Sequence, residues 1–471
     1  MSASVKAPVV VVGAGYVGLV TAVGFAQARD VRLVDREASV IEELEAGKLP
    51  FYEPELEPRF EDCRKRLSFH TRLEDALQDG LPQLVFIAVG TPKHEADAAR
   101  SSNGHDDVDD GANLTSVYEV VDALLNRSEV AAVMKSTVPP GTGRKMLEHA
   151  EMRGSDLTYI SCPEFLREGD AFTSFDNPDR VVIGCEEESC WAVDALKELH
   201  TDVHQRKPRC FEMKLTNAEL VKHASNLHLA TRISYANQVG NLCEELGADV
   251  SEVMTAVGAD ERIGGRFLNA GVGFGGSCFD KDIRALRSVA KREAKLKLSL
   301  VDVVLAINEG QIERTIAKLQ RRLGTLSDAR IAILGLAFKP ETDDLRESPA
   351  LALAGELRPL GAVLQAWDPQ RGAREGAIAK GVTEGLARDE VATSALEAME
   401  EVDAVVLMTE WPEFAAIDWA EAAAAMRGKL VVDGRNHLLA DDVRAAGLEY
   451  EGTGRESRGL TQPLPEGATD G

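Results

Sequence analysis

Residues 9–18 read VVVVGAGYVG, a run of four valines that ends in Gly13-x-Gly15-x-x-Gly18 and passes into Leu19 and Val20. Consecutive β-branched residues suit a strand buried on both faces, and the apolar stretch behind the glycines suits a helix. That order gives the spacing its meaning. The glycines allow a tight turn and close approach to a ligand, and the helix N-terminus offers unpaired N–H groups to a pyrophosphate. A second run, VRLVD, closes on Asp35 about 20 residues further on. A carboxylate there can accept hydrogen bonds from the adenosine ribose hydroxyls and repels a 2′-phosphate. Gly13, Gly15, Tyr16, Val17, Gly18 and Asp35 are therefore expected to seat a dinucleotide. NAD is favoured, with Arg36 leaving NADP as the alternative.

Working outward, short apolar runs alternate with helical stretches. Val9–Gly13, Val31–Asp35, Leu84–Val89, Ala131–Ser136, Leu157–Ser161 and Val181–Gly184 read as strands of a parallel sheet covered on both faces. From Phe211 to Leu246 there is no proline and one glycine, Gly240, and apolar residues fall at helical spacings, predicting a helix on the order of 50 Å long. A helix that long should connect domains or form a subunit interface. Strands then resume at Arg330–Leu334, Val363–Trp367, Ala404–Met408 and Leu430–Asp433, with a helix from Pro349 to Leu360. The expected architecture is α/β: two Rossmann-like, doubly wound domains joined by a helical central domain with one long helix. The boundaries are residues 1–210, 211–325 and 326–450, followed by a disordered tail at 451–471. Lys93–Asn113, polar and acidic, reads as a surface insertion.

At 471 residues and 44% apolar, the chain can bury several cores. Its seven cysteines are an odd number with neither a C-x-x-C pair nor histidines at zinc spacing, so no disulfide framework and no metal site are expected, and a reducing cytoplasm fits. No signal-peptide pattern opens the chain, and no run of 18 apolar residues occurs. The net charge of −25 argues against nucleic acid or anionic membranes as partners. It is also compatible with adaptation to high salt, where charge is screened.

GVGFGGSCFDKD at Gly271–Asp282 sets Cys278 at the end of a glycine-rich loop among charged residues. A lone free cysteine is usually a packing residue, but a thiolate beside charges that set its pKa is also a nucleophile. Lys222 and Asn226, at i and i+4, share a helix face.

Several ordered segments then resemble one family: GTP at Gly90–Pro92, KSTVPPGT at Lys135–Thr142, PEFLREG at Pro163–Gly169, ELVKHASN at Glu219–Asn226, RIGGRFL at Arg262–Leu268, GFGGSCFDKD at Gly273–Asp282 and GLAFKPETDDLRES at Gly335–Ser348. In these the chain resembles the UDP-glucose/GDP-mannose dehydrogenases over nearly residues 8–440. The resemblance implies a four-electron oxidation of a sugar-nucleotide primary alcohol to a carboxylate with two NAD and one water, UDP-glucose to UDP-glucuronate in the first instance. GDP-mannose and UDP-N-acetylhexosamines are the alternatives within the family, and a two-electron dehydrogenase is the alternative outside it. Cys278 stands where the family's nucleophile stands, with Lys222, Asn226, Asp282, Glu164, Glu168 and Thr137 as its catalytic partners. Thr91, Thr137 and Glu168 join the cofactor site. Phe165, Leu166, Arg167, Lys222, Asn226, Arg262, Phe267, Gly275, Phe338, Lys339, Arg346 and Arg435 are implied to hold the substrate, with Arg262 reaching into a neighbouring subunit. The implied assembly is a homodimer or larger. Cys162 departs from the family pattern, in which asparagine often precedes PEFL.

Overall fold

The computed structural model describes residues 8–78, 80–92, 112–186, 190–204 and 207–455. They fall into two compact units, one within Met1–His228, Ser277–Asp302 and Glu341–Asp344, the other within Leu229–Gly276, Val303–Pro340 and Leu345–Gly471. The helices of the expected central segment are thus divided between the two.

The first unit is built on an eight-stranded sheet: β1 (Val9–Val12), β2 (Val31–Val34), β3 (Leu67–His70), β4 (Gln83–Ile87), β5 (Val130–Met134), β6 (Thr158–Ser161), β7 (Val181–Gly184) and β8 (Cys210–Met213). Their order is β3-β2-β1-β4-β5-β6-β7-β8. The first six strands have the Rossmann order, in register Val10 to Arg32 on one side of β1 and Val10 to Val85 on the other. The valine run works because alternate residues serve opposite faces. Val9 and Val11 pack with Leu19, Phe25, Phe86 and Phe175. Val10 and Val12 pack with Val85, Ile87, Val121 and Met134.

The sheet differs from the expectation at its far edge. Ser161 pairs antiparallel with Gly184, so β7 and the parallel β8 run against the first six strands. β3 and β8 escaped the sequence reading, and both are edge strands that stay partly exposed and so lack a buried strand's apolar signature. Phe211–Met213, the start of the predicted long helix, belongs instead to strand β8; the helix proper is Leu215–Leu246, 32 residues.

The second unit carries a five-stranded parallel sheet: β9 (Arg330–Leu334), β10 (Val363–Trp367), β11 (Ala404–Leu407), β12 (Leu430–Asp433) and β13 (Glu449–Gly452), in the order β10-β9-β11-β12-β13. The order reverses between β9 and β11, the switch point at which open α/β sheets hold ligands. β13 was not expected. It overrides the predicted start of the tail at 451, because Glu451 pairs with Val432 and is buried. Residues 456–471, and all but Ala112 and Asn113 of the expected Lys93–Asn113 insertion, lie outside the described residues. Among the described residues all seven cysteines are free, and no cluster of His, Cys, Asp and Glu could hold a metal. No described helix is long and apolar enough to cross a membrane.

Candidate active site

The glycine turn after β1 has the geometry its sequence demands. Gly13 stands at φ +102°, and a side chain at Gly18 would place its Cβ 1.8 Å from the Gly13 oxygen. A Cβ at Gly15 would instead meet nothing within 4 Å. Helix Tyr16–Ala26 begins there with no side-chain cap and no acid in its first turn, so its leading N–H groups suit an anion. Asp35 accepts from Ala14 N at 2.7 Å through Oδ2 and from Glu37 N at 3.0 Å through Oδ1, which aims the carboxylate beside the turn. These residues fit a dinucleotide, with an acid where a 2′-phosphate would be repelled. Val17 is partly buried against the core of that unit.

Tyr16 turns its hydroxyl back into the protein. It donates to Glu53 Oε2 at 2.9 Å; the same carboxylate accepts Gly169 N at 2.7 Å and Ala171 N at 2.8 Å. Burial first, then the Glu53 charge, raises the Tyr16 phenol, keeping it a donor. Glu53, which the sequence reading missed, thus ties helix Tyr16–Ala26 to the loop carrying Glu168. Thr91 Oγ1 donates to the Thr137 carbonyl at 3.0 Å, and Lys281 Nζ lies 3.4 Å from Thr91 Oγ1.

Cys278 immediately precedes helix Phe279–Arg292, at its N-cap position but with no side-chain cap bond, and Asp280 and Asp282 lie in the first turn. Its sulfur lies 3.5 Å from Ser277 Oγ, which donates to Glu168 Oε1 at 3.3 Å. Burial pushes the thiol up to about 11; Lys222 pulls it down, and Glu164, Glu168 and Asp282 push it up further. The resting site therefore holds a thiol, and the charges around it do not activate it unaided.

The long helix supplies the floor of the site through Glu219, Lys222, His223 and Asn226, a buried stripe at positions i, i+3, i+4 and i+7. Lys222 Nζ donates to Glu164 Oε1 at 2.9 Å, with both side chains about 95% enclosed. Burial lowers the Lys222 pKa, but Glu164, Cys278 and Asp282 outweigh it and raise the ammonium above its ordinary value. Glu164 Oε2 accepts Leu166 N at 2.5 Å. Asn226 Nδ2 donates to Asp282 Oδ2 at 2.6 Å. Lys281 Nζ lies 2.9 Å from Asp282 Oδ1, close enough to pair charges but off the line of a hydrogen bond.

Glu219 accepts Gly141 N and Gly143 N at 2.6 and 2.7 Å, capping helix Thr142–Met152. Burial pushes it up to about 7 against those two bonds. Glu219, Lys222 and Thr137 line a small cavity with Ser136, Val138, Ser161 and Pro163. Phe165 lies under two cations, with Arg180 at 4.1 Å and Lys222 at 5.5 Å from its ring centre. Arg167 is exposed, bonded to Ser174 and paired with Asp170. Cys162 is fully buried in the sheet's core, its thiol raised chiefly by burial.

The first unit therefore brings Cys278, Lys222, Asn226, Asp282, Glu164, Glu168 and Thr137 together. The remaining residues implied for substrate binding lie in the second unit. Arg435, after β12, donates from Nε to Met408 O, from Nη1 to Gly273 O and from Nη2 to Phe338 O, clasping three loops. Lys339 Nζ lies 5.3 Å from the Phe338 ring centre, and the Arg346 carbonyl accepts Gly276 N. Arg262 is exposed and paired with Asp260; Phe267 is exposed at φ 61°. At Gly275 and Gly276 the requirement for glycine comes from the protein's own chain rather than from space around a ligand. A Cβ at Gly275 would sit 2.3 Å from Glu347 O, and one at Gly276 2.7 Å from the Phe338 ring.

Comparison with known proteins decides the family. Residues 7–204 match the NAD binding domain of the UDP-glucose/GDP-mannose dehydrogenases, 216–310 their central domain and 332–440 their UDP binding domain. The chain belongs to the UDP-glucose/GDP-mannose dehydrogenase family. It is 37% identical to a UDP-glucose 6-dehydrogenase of Rhizobium meliloti over 457 residues, covering 95% of this chain and 99% of that one. Among solved structures it is similar to a UDP-glucose dehydrogenase from Pyrobaculum islandicum, with 36% identity, a TM-score of 0.83, and 97% and 100% of the two chains covered. A UDP-D-ManNAc dehydrogenase from Pyrococcus horikoshii is 26% identical, with a TM-score of 0.79, covering 96% and 100%. The dehydrogenase thus carries an NAD-binding domain, within which the glycine turn and Asp35 lie.

Proposed function

We propose that this dehydrogenase oxidises UDP-glucose to UDP-glucuronate in two steps through a covalent Cys278 adduct. The observation that carries the reading is the enclosure of one thiol with an ammonium, an amide and three carboxylates in a single unit; the greater identity to UDP-glucose dehydrogenases than to an acetamido-sugar enzyme favours glucose. Bound at the glycine turn, NAD would accept one hydride in each oxidation.

In the first oxidation the C6 hydroxyl passes its proton to Asp282, which releases it to solvent, while Lys222 and Asn226 stabilise the developing alkoxide. The aldehyde must become tetrahedral before a second hydride can leave. Cys278 sulfur bonds to C6 as the carbonyl π bond opens; the thiol proton passes to a neighbouring carboxylate, and Lys222 protonates the new oxygen. Loss of the second hydride and of the hydroxyl proton leaves a thioester. A water held by Thr137, deprotonated by Glu164, adds to it; the S–C bond breaks and the sulfur regains a proton. One alcohol and one water are consumed, two hydrides pass to two NAD, three protons are released and one carboxylate forms. Tethering also prevents loss of the aldehyde.

The substrate-binding residues that the family resemblance implies are proposed as two groups, Phe165, Leu166 and Arg167 in the first unit and Phe267, Gly275, Phe338, Lys339, Arg346 and Arg435 in the second. Residues 1–210, 211–325 and 326–450 are proposed as the domains, Arg262 as a contribution across a homo-oligomer, and the cytoplasm as the enzyme's place. In an NADH-release assay UDP-glucose should give two NADH per sugar acid and outpace GDP-mannose and UDP-N-acetylmannosamine. No turnover of UDP-glucose, or one NADH per product, overturns the assignment. Cys278→Ser should bind UDP-glucose yet form no acid, and full activity in that variant removes the covalent route.

A further inference from the structure

His223 has no role in the steps above, yet it is the most enclosed of the four polar residues on the long helix's site-facing stripe, at 1% exposure. Its Nδ1 lies 2.9 Å from the backbone oxygen of Asp282, and its Nε2 lies 2.9 Å from that of Val138. A carbonyl oxygen can only accept. A neutral imidazole has one N–H, so its other nitrogen would point a lone pair at a carbonyl lone pair at hydrogen-bond distance. In a site this buried the mismatch is costly.

We infer that His223 donates from both ring nitrogens, as a buried imidazolium, and is a positioning residue that pins together the three segments carrying the proposed chemistry. The long helix brings Lys222 and Asn226. The loop after β5 brings Thr137, next to Val138. The nucleophile helix Phe279–Arg292 brings Asp282 itself, one turn from Cys278. Each bond from the ring fixes a backbone position adjacent to, or within, a reacting side chain's own residue. The ionisable groups these segments contribute fit a cation there. Lys222 is paired to Glu164 and Lys281 to Asp282, while the charge of Lys135 acts on His200 and His204. Glu219 is a buried carboxyl one turn earlier on the same stripe.

The test has a spectroscopic and a kinetic arm. In the full chain labelled with 15N-histidine and held near neutral pH, two ring N–H signals from one imidazole should be present and both should vanish in His223→Gln. If the signals lost on substitution belong to a ring with one unprotonated nitrogen, the double donation is overturned. The kinetic arm rests on the proposed function. His223→Leu should lower kcat with UDP-glucose by about tenfold or more, with KM changed by less than about threefold, and His223→Gln, which keeps an N–H donor, should recover part of the loss. A wild-type kcat in His223→Leu overturns the positioning role. Should that variant not fold, His223→Gln alone decides, since a kcat equal to wild type would overturn the role and a reduced one supports it. Failure of wild type to oxidise UDP-glucose would sink the functional reading and leave the ring-nitrogen measurement standing.

Discussion

At the scale of single residues, the candidate nucleophile is held in a state opposite to the one its chemistry needs. Burial and three carboxylates keep the Cys278 proton in place, and Lys222 only partly offsets them. The thiol must therefore lose its proton during reaction, when substrate supplies an electrophile. A measurable consequence is that iodoacetamide, which reacts with thiolate alone, should modify Cys278 of the ligand-free enzyme about tenfold faster per pH unit between pH 7 and 10. The rate should reach half its maximum near the value of about 11 to which burial pushes the thiol. Peptide mapping separates Cys278 from the other partly exposed cysteines, Cys185 and Cys210. A rate already level at pH 8 would show a thiolate at rest and contradict the arrangement. The position of Cys278, Lys222, Asn226 and Asp282 was legible in the motifs; the charge state was not, because it depends on burial and on Glu164 and Glu168, more than a hundred residues away in the chain.

At the scale of elements, legibility followed burial. The valine run of β1 and the runs of β4 and β5 are wholly enclosed and announce themselves as apolar stretches. LSFH and CFEM are partly exposed edge strands and EYEG carries two glutamates, so all three lack that signature. On the long helix, the period that paired Lys222 with Asn226 also contains Glu219 and His223, so these were within reach of the same argument. Glu53 was not. It meets Gly169 across 116 residues of sequence, with no local pattern to mark it. Its effect is to join the start of helix Tyr16–Ala26 to the loop after Glu168. Glu53→Gln replaces one acceptor oxygen with an NH2 facing donors, a loss on the order of 1–3 kcal/mol. The expected result is a KM for NAD about tenfold higher, with the KM for UDP-glucose within about twofold. An unchanged KM for NAD, measured at saturating UDP-glucose, would show that the clasp does not shape the cofactor site.

At the scale of the whole molecule, contiguous sequence is a poor guide to what packs with what. Ser277–Asp302 follows the middle of the chain yet belongs to the first unit, and this return is what sets Cys278 beside residues of the long helix and of the β5 and β6 loops. The charge, by contrast, was readable at once and leads to a kinetic expectation. A protein of net charge −25 repels NAD and a nucleotide sugar, both anionic, over a distance set by ionic strength. That distance falls from about 30 Å at ~10 mM salt to about 8 Å at ~150 mM. The buried Lys222 ammonium does little to counter the repulsion at long range, since it is already paired with Glu164. Raising KCl over that interval should therefore increase kcat/KM for UDP-glucose while leaving kcat nearly unchanged, because screening acts on encounter and the enclosed charges are screened far less. A fall in kcat/KM over the same interval would mean that a local basic surface steers the substrate in spite of the overall charge, and would transfer the main electrostatic role to Lys339, Arg346 and their neighbours in the second unit.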